Sequence, residues 1–250
     1  MPKPNVPHAA ASRQARSPWP CRPVIAGTWR AVGSALRNAV LGVTPATKPG
    51  DPFDLGRETI AMRCLRIEAL PGAYLVEALA ARASGEAGIF RFMLGPLQVV
   101  PLQGHAADFG RFVAATPPGH IAADGAQQYI ELFTSTLRTA DGRFVLVQSA
   151  NDVIRARPEA ARQRAQWRRH VRPLTALGEI EAGRYGYEGT MAYSAQLSWV
   201  RLTVDPSGQV TMEDDNPLAP LAPAPAETFA GAWQIFEPAP AVPLSRSNQR

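Results

Sequence analysis

The chain has 250 residues, 46% hydrophobic and 19% charged, enough to bury one sizeable core. It has no run near the roughly 18 uninterrupted apolar residues of a membrane-spanning helix. Cys21 and Cys64 are its two cysteines, too few for a disulfide framework or a cysteine-based structural zinc site. The formal charge of +5 is segmental: residues 1–30 bear five cations and no acid, and residues 151–172 hold seven arginines against Asp152 and Glu159. The rest of the body is mildly acidic, which argues against a nucleic-acid surface spread over the whole domain.

Six of the 24 prolines fall in residues 1–23 and seven in residues 217–243. Segments so interrupted cannot repay their ordering entropy by burial. Residues 1–25 are therefore expected to be a disordered basic tail, 26–236 a single β-rich domain and 237–250 a second disordered tail. The Arg-rich beginning lacks an apolar signal core, so a cytoplasmic location is expected.

In chain order, residues 29–41 place Trp29, Val32, Leu36, Ala39 and Val40 on one helical stripe before Gly42 and Pro45. From Glu58 the pattern turns to strands over 58–70 and 73–81, separated by the Pro71-Gly72 turn. Phe90, Phe92 and Leu94 alternate with Arg91 and Met93 in a further strand, followed by Leu97–Leu102. Residues 105–114 suggest a short helix. Gln127–Leu137 and Arg143–Gln148, flanking Asp141-Gly142, predict a hairpin. Pro158 and Pro173 bracket a basic helix over 158–171. After a loop, Arg184–Asp205 reads as one or two strands, Gln209–Glu213 as another, and Thr228–Phe236 as the last. Eight to ten strands joined by short turns predict a mainly β fold: an antiparallel barrel, or alternatively a sandwich, with two or three accessory helices.

Motifs with chemical content are few. His105 and Asp108, three positions apart, could form an oriented general base, and Glu131 is the other weak catalytic candidate. A helix-start histidine beside a solvated aspartate is the simpler and preferred explanation of the first pair. His120 and Asp124 supplement it too thinly for zinc. Gly183, Gly186 and Gly189 in GRYGYEG precede a strand rather than a helix, so they read as a bent strand entry and not as a phosphate loop. Asp214 and Asp215 lack the spaced ligands of a calcium loop. No nucleophile elbow, P-loop or dinucleotide fingerprint is present, and no cofactor is expected.

Ala26-Gly27-Thr28-Trp29-Arg30 resembles the G-x-W signature that opens lipocalin-like (calycin) barrels, and Gly231-Ala232-Trp233 echoes it. The chain departs from that pattern where a helix is predicted directly after Trp29. The resemblance implies an apolar ligand held in the barrel's open end. Expected ligand-binding residues are Phe90, Arg91, Phe92, Tyr193, Gln196, Trp199 and Arg201, with Leu197 on the same inward faces. An enzyme of lyase or isomerase type using the same cavity is the alternative. A third reading has Arg162, Arg164, Arg168 and Arg169 bind nucleic acid or an acidic partner, with Trp167 stacking. Against it stands a helix that caps the β body through Ala160, Trp167 and Val171.

Overall fold

The computed structural model describes residues 17–44, 50–139 and 142–237. β1 (Arg30–Ala31) leads into α1 (Ser34–Val43), the single-turn α2 (Leu55–Glu58), β2 (Thr59–Arg66), β3 (Tyr74–Ala81), β4 (Ala87–Leu94) and β5 (Val99–Pro101). Then come α3 (Ala106–Ala115), α4 (Ala126–Thr136), β6 (Arg138–Thr139), β7 (Gly142–Arg143), β8 (Val145–Val147) and α5 (Ala150–Ala156). Short 3-10 turns flank α6 (Arg164–Trp167). β9 (Thr175–Glu181), β10 (Arg184–Tyr193), β11 (Gln196–Val204), β12 (Val210–Pro220), β13 (Thr228–Ala230) and β14 (Trp233–Phe236) complete the order.

The protein is mainly β, and its ladders are antiparallel. One sheet runs β1-β2-β3-β4-β14-β13, with β5 also paired to β4; the other runs β12-β11-β10-β8, with β9 also on β10. Among the described residues neither sheet closes on itself, so the closed barrel expected from the strand count is not formed. Strand periodicity sorts the first sheet into two covered faces. Leu65, Leu75 and Met93 join Phe109, Phe112, Tyr129 and Phe133 of the two helices and Tyr187, Met191 and Leu202 of the second sheet in one core. The opposite face, with Met62, Val76, Phe90, Phe92 and Trp233, lies under Val40, Phe53 and Leu55.

Several expectations are corrected. Gln127–Leu137 is not a hairpin arm but lies largely within α4. Ala126, Tyr129, Ile130 and Phe133 are buried at helical spacing. Its threonines bond back to the preceding turn, Thr134 to the Ile130 carbonyl and Thr136 to that of Leu132, each at 2.8 Å. The expected pairing of 127–137 with 143–148 is replaced by a short ladder of Arg138–Thr139 with Gly142–Arg143, while Val145–Val147 pairs with β10 and Asp141 lies outside the described residues. Trp29 and Val32 precede α1 rather than joining it, because Arg30 and Ala31 pair with β2. In α1 only Val40 is buried, with Leu36 left 59% exposed. The supposed loop before Arg184 contains β9, an exposed strand without alternation.

The expected basic helix is broken into short turns, yet Ala160 and Trp167 are buried, and the Trp167 indole donates to the Ala160 carbonyl at 3.0 Å. The body also begins earlier than residue 26: Ile25 is buried in the main core and Trp19 stacks on the Arg63 guanidinium at 3.9 Å. Residues 1–16 and 238–250, the greater part of the expected tails, lie outside the described residues. The glycines of GRYGYEG relieve crowding, as a bent strand entry requires: β10 has two register shifts against β9, and a Cβ on Gly189 would sit 2.9 Å from the Leu174 Cα.

Candidate functional site

Register places Arg63, Glu77 and Arg91 side by side on β2, β3 and β4. Glu77 is fully buried and accepts from the Arg63 Nε at 2.6 Å and the Arg91 Nε at 2.7 Å. A lone carboxylate could not be held there; its two guanidiniums make the burial tolerable and leave the row with one net positive charge. Trp19 and Trp29 cover the Arg63 guanidinium.

A cleft of about 630 Å³ is lined by residues of both sheets. Its walls are the β6–β7 hairpin, the end of α5, the β10–β11 turn, the Pro223–Glu227 linker and Phe229. The Arg138 guanidinium sits over Phe229, 3.7 Å from the ring centre, and Gly104 leaves room for its stem. Its Nη1 donates to the Gly231 carbonyl at 2.6 Å. Burial, and then the charge of Arg91, lower the Arg138 pKa to about 10, so it stays cationic at neutral pH. Arg143 pairs with Glu227 at 3.0 Å. Arg155 pairs with Asp152, which also closes the capping box at Ser149.

Arg157 ends α5. Pro158 keeps it out of helical geometry, and at φ −143° its side chain turns inward. It is 1% exposed, donates from Nη1 to the Ala222 carbonyl at 2.9 Å, and keeps its Nε buried without a partner. Burial lowers its pKa. Six guanidiniums around the cleft and the adjoining row thus meet three carboxylates, Glu77, Asp152 and Glu227. Arg138 and Arg157 have no carboxylate within ion-pair distance among the described residues. On the opposite rim, Ser194 adopts φ 48°, a turn conformation usually left to glycine.

The residues expected to bind a ligand do not converge. Arg91 borders a small separate recess that shares Arg138, Arg143 and Phe229 with the cleft, whereas Phe90 and Phe92 point to the other face of the sheet and pack with Trp233. Tyr193 and Gln196 flank the β10–β11 turn; the Tyr193 hydroxyl contacts Asp215 and accepts from Gln196 at 3.3 Å. Leu197 is core beneath Trp167. Trp199 and Arg201 lie on the outer surface of β11, with Arg201 3.6 Å from Asp214.

The catalytic candidates are also apart. His105 is exposed, and the Asp108 carboxylate turns instead to Arg111 at 2.7 Å and the Gln103 amide at 3.0 Å. Glu131 accepts from Gln127 and Gln148, and burial raises its pKa. Arg162, Arg164, Arg168 and Arg169 are all exposed, but Trp167 beneath them is inaccessible for stacking. No group of three or more metal-binding side chains occurs among the described residues.

Arg138, Arg143, Arg155 and Arg157 were not singled out from the sequence. Only Arg157 carries a local signal: an arginine directly before a helix-breaking proline, set in the basic segment. Comparison with protein-family models, curated proteins and solved structures returns no match.

Proposed function

We propose that this protein binds a small anionic molecule with an apolar body in the arginine-lined cleft between its sheets. One observation carries the reading: the half-buried Arg138 and the fully buried Arg157 border a ligand-sized space, and among the described residues neither has a carboxylate within ion-pair distance. Buried cations are normally paired, and a bound anion would supply the missing partner. The Pro-Ala linker, Val145 and Phe229 add apolar surface. An apolar ligand inside a closed barrel fits less well, because the expected lining residues are divided among different faces of a sandwich-like pair of open sheets. His105, Asp108 and Glu131 do not line the cleft, so the reading is one of binding rather than catalysis.

The test uses two fluorescent probes of similar shape, 8-anilinonaphthalene-1-sulfonate and the uncharged N-phenyl-1-naphthylamine. The sulfonate is expected to bind the folded protein more tightly, with an affinity that falls with added salt. Arg138→Gln combined with Arg157→Gln should weaken it at least tenfold. Equal binding of both probes, unchanged in the double variant, would return the preference to a purely apolar ligand.

A further inference from the structure

The second sheet turns one face to the core and the other away from it. Side chains alternate along its strands, so Tyr187, Met191 and Leu202 point inward while Glu188, Thr190 and Arg201 share the outer face. Residues 158–172 form a ridge over only one end of that outer face. Trp167 is buried there against Ala192 and Leu197, and the Arg172 amide donates to the Thr190 hydroxyl at 3.0 Å. The other end is bare among the described residues. Arg201 is exposed there, and Leu177 and Ile180, which lie over Gly186, are 43% and 47% exposed.

The two ends differ in charge as well as in height. On the ridge Arg162, Arg164, Arg168, Arg169 and Arg172 are exposed, with Glu159 the only acid among them. At the bare end Glu181, Glu188, Glu213 and Asp214 outnumber Arg184 and Arg201. From this complementarity we infer that the protein pairs with a second copy of itself about a two-fold axis through the outer face. The arginine ridge of each copy seats on the acidic, bare end of the other. A two-fold axis makes both contacts at once, joins opposite charges and keeps like charges apart. Leu177, Ile180 and Trp199 supply apolar surface beneath the seated ridge. The bare end spans β9, β10, β11 and β12; at about 4.8 Å between strands and roughly five residues of about 3.3 Å along each, it presents about 320 Å². Each copy adds its ridge to this area, giving roughly 650 Å², the size of specific pairs that readily dissociate. A dissociation constant on the order of 10 µM is expected. The pairing is independent of what the cleft binds.

Sedimentation of the full chain between about 2 and 200 µM should show a monomer giving way to a dimer, and about 0.5 M salt should weaken the dimer at least fivefold. Arg168→Glu with Arg169→Glu makes the ridge repel the acidic end. Glu181→Lys with Asp214→Lys makes that end repel the ridge. All four residues are exposed, so both variants should keep the parent's circular dichroism and each alone should sediment as a monomer. Mixed in equal amounts they should dimerise again, because every contact then joins opposite charges. A parent still monomeric at about 200 µM would overturn the inference. A dimer that survives both reversals, or variants that stay monomeric when mixed, would do the same. If a variant loses the parent's circular dichroism, the unaltered chain decides, since a dimer indifferent to salt refutes the charge pairing. A monomeric parent that binds a short DNA duplex would also refute it and assign the ridge to a polyanion.

Discussion

Replacing Glu77 with glutamine removes one charge and almost no volume from the centre of the first sheet. Glu77 is fully buried, and the two guanidiniums it binds are 9% exposed at Arg63 and 5% at Arg91. Without the carboxylate, two like charges on adjacent strands would face one another in a region of low polarity. Breaking a buried pair in this way typically costs about 3–5 kcal/mol, a large share of the roughly 5–15 kcal/mol that holds a domain folded. For a chain of this size the melting temperature should fall by roughly 10 °C. Urea unfolding followed by far-ultraviolet circular dichroism should show a lower midpoint at an unchanged slope. The triple change Arg63→Met, Glu77→Leu and Arg91→Met, which removes the charges together, should recover most of the loss. A Glu77→Gln protein within about 1 kcal/mol of the parent would refute the claim that the row depends on its central charge.

Trp167→Ala should cost about 3–5 kcal/mol in the same assay by emptying a buried aromatic site, whereas changing Arg162, Arg164, Arg168 and Arg169 to glutamine should leave the melting temperature nearly unchanged. Ile25→Ala should cost about 2–4 kcal/mol if the segment before β1 belongs to the core; a neutral result in urea unfolding would return it to the tail. Because burial raises the Glu131 pKa in the folded state, the unfolded chain binds fewer protons as pH rises through the window between the ordinary glutamate value and the raised one. Glu131 therefore lowers stability across that window and above it. Glu131→Gln should flatten that decline, measured as melting temperature against pH, and an unaltered pH profile would count against it.

The strands of the first sheet were legible because Pro71-Gly72 and Ser84-Gly85 punctuate a meander whose sides alternate from β2 to β4. The α4 error has a specific cause. Tyr, Ile, Phe and Thr favour strands by composition, but Ala126, Tyr129, Ile130 and Phe133 were already spaced for a helix, and tertiary burial followed the spacing. β9 was illegible because every residue in it is exposed, which removes the alternation that marks a strand. Most of the cleft was illegible for another reason. Arg138, Arg143 and Arg157 come from a hairpin and a helix end that meet the 223–227 linker only after both sheets have formed, and no local pattern records such a meeting. Arg91 was noticed for interrupting an apolar strand, which is the trace a buried charge leaves in a sequence.

β14 pairs with β4, so Trp233 meets Phe90 across more than half the chain length. During synthesis the Ala87–Phe90 edge of β4 must therefore wait unpaired for its neighbour, with the Phe90–Phe92 surface lacking the indole that later covers it. A nascent chain released before residue 233 would carry an open, apolar strand edge, the kind of surface that recruits a second unfinished copy. The completing hairpin is thus also the step that ends the period in which this protein is most prone to aggregate.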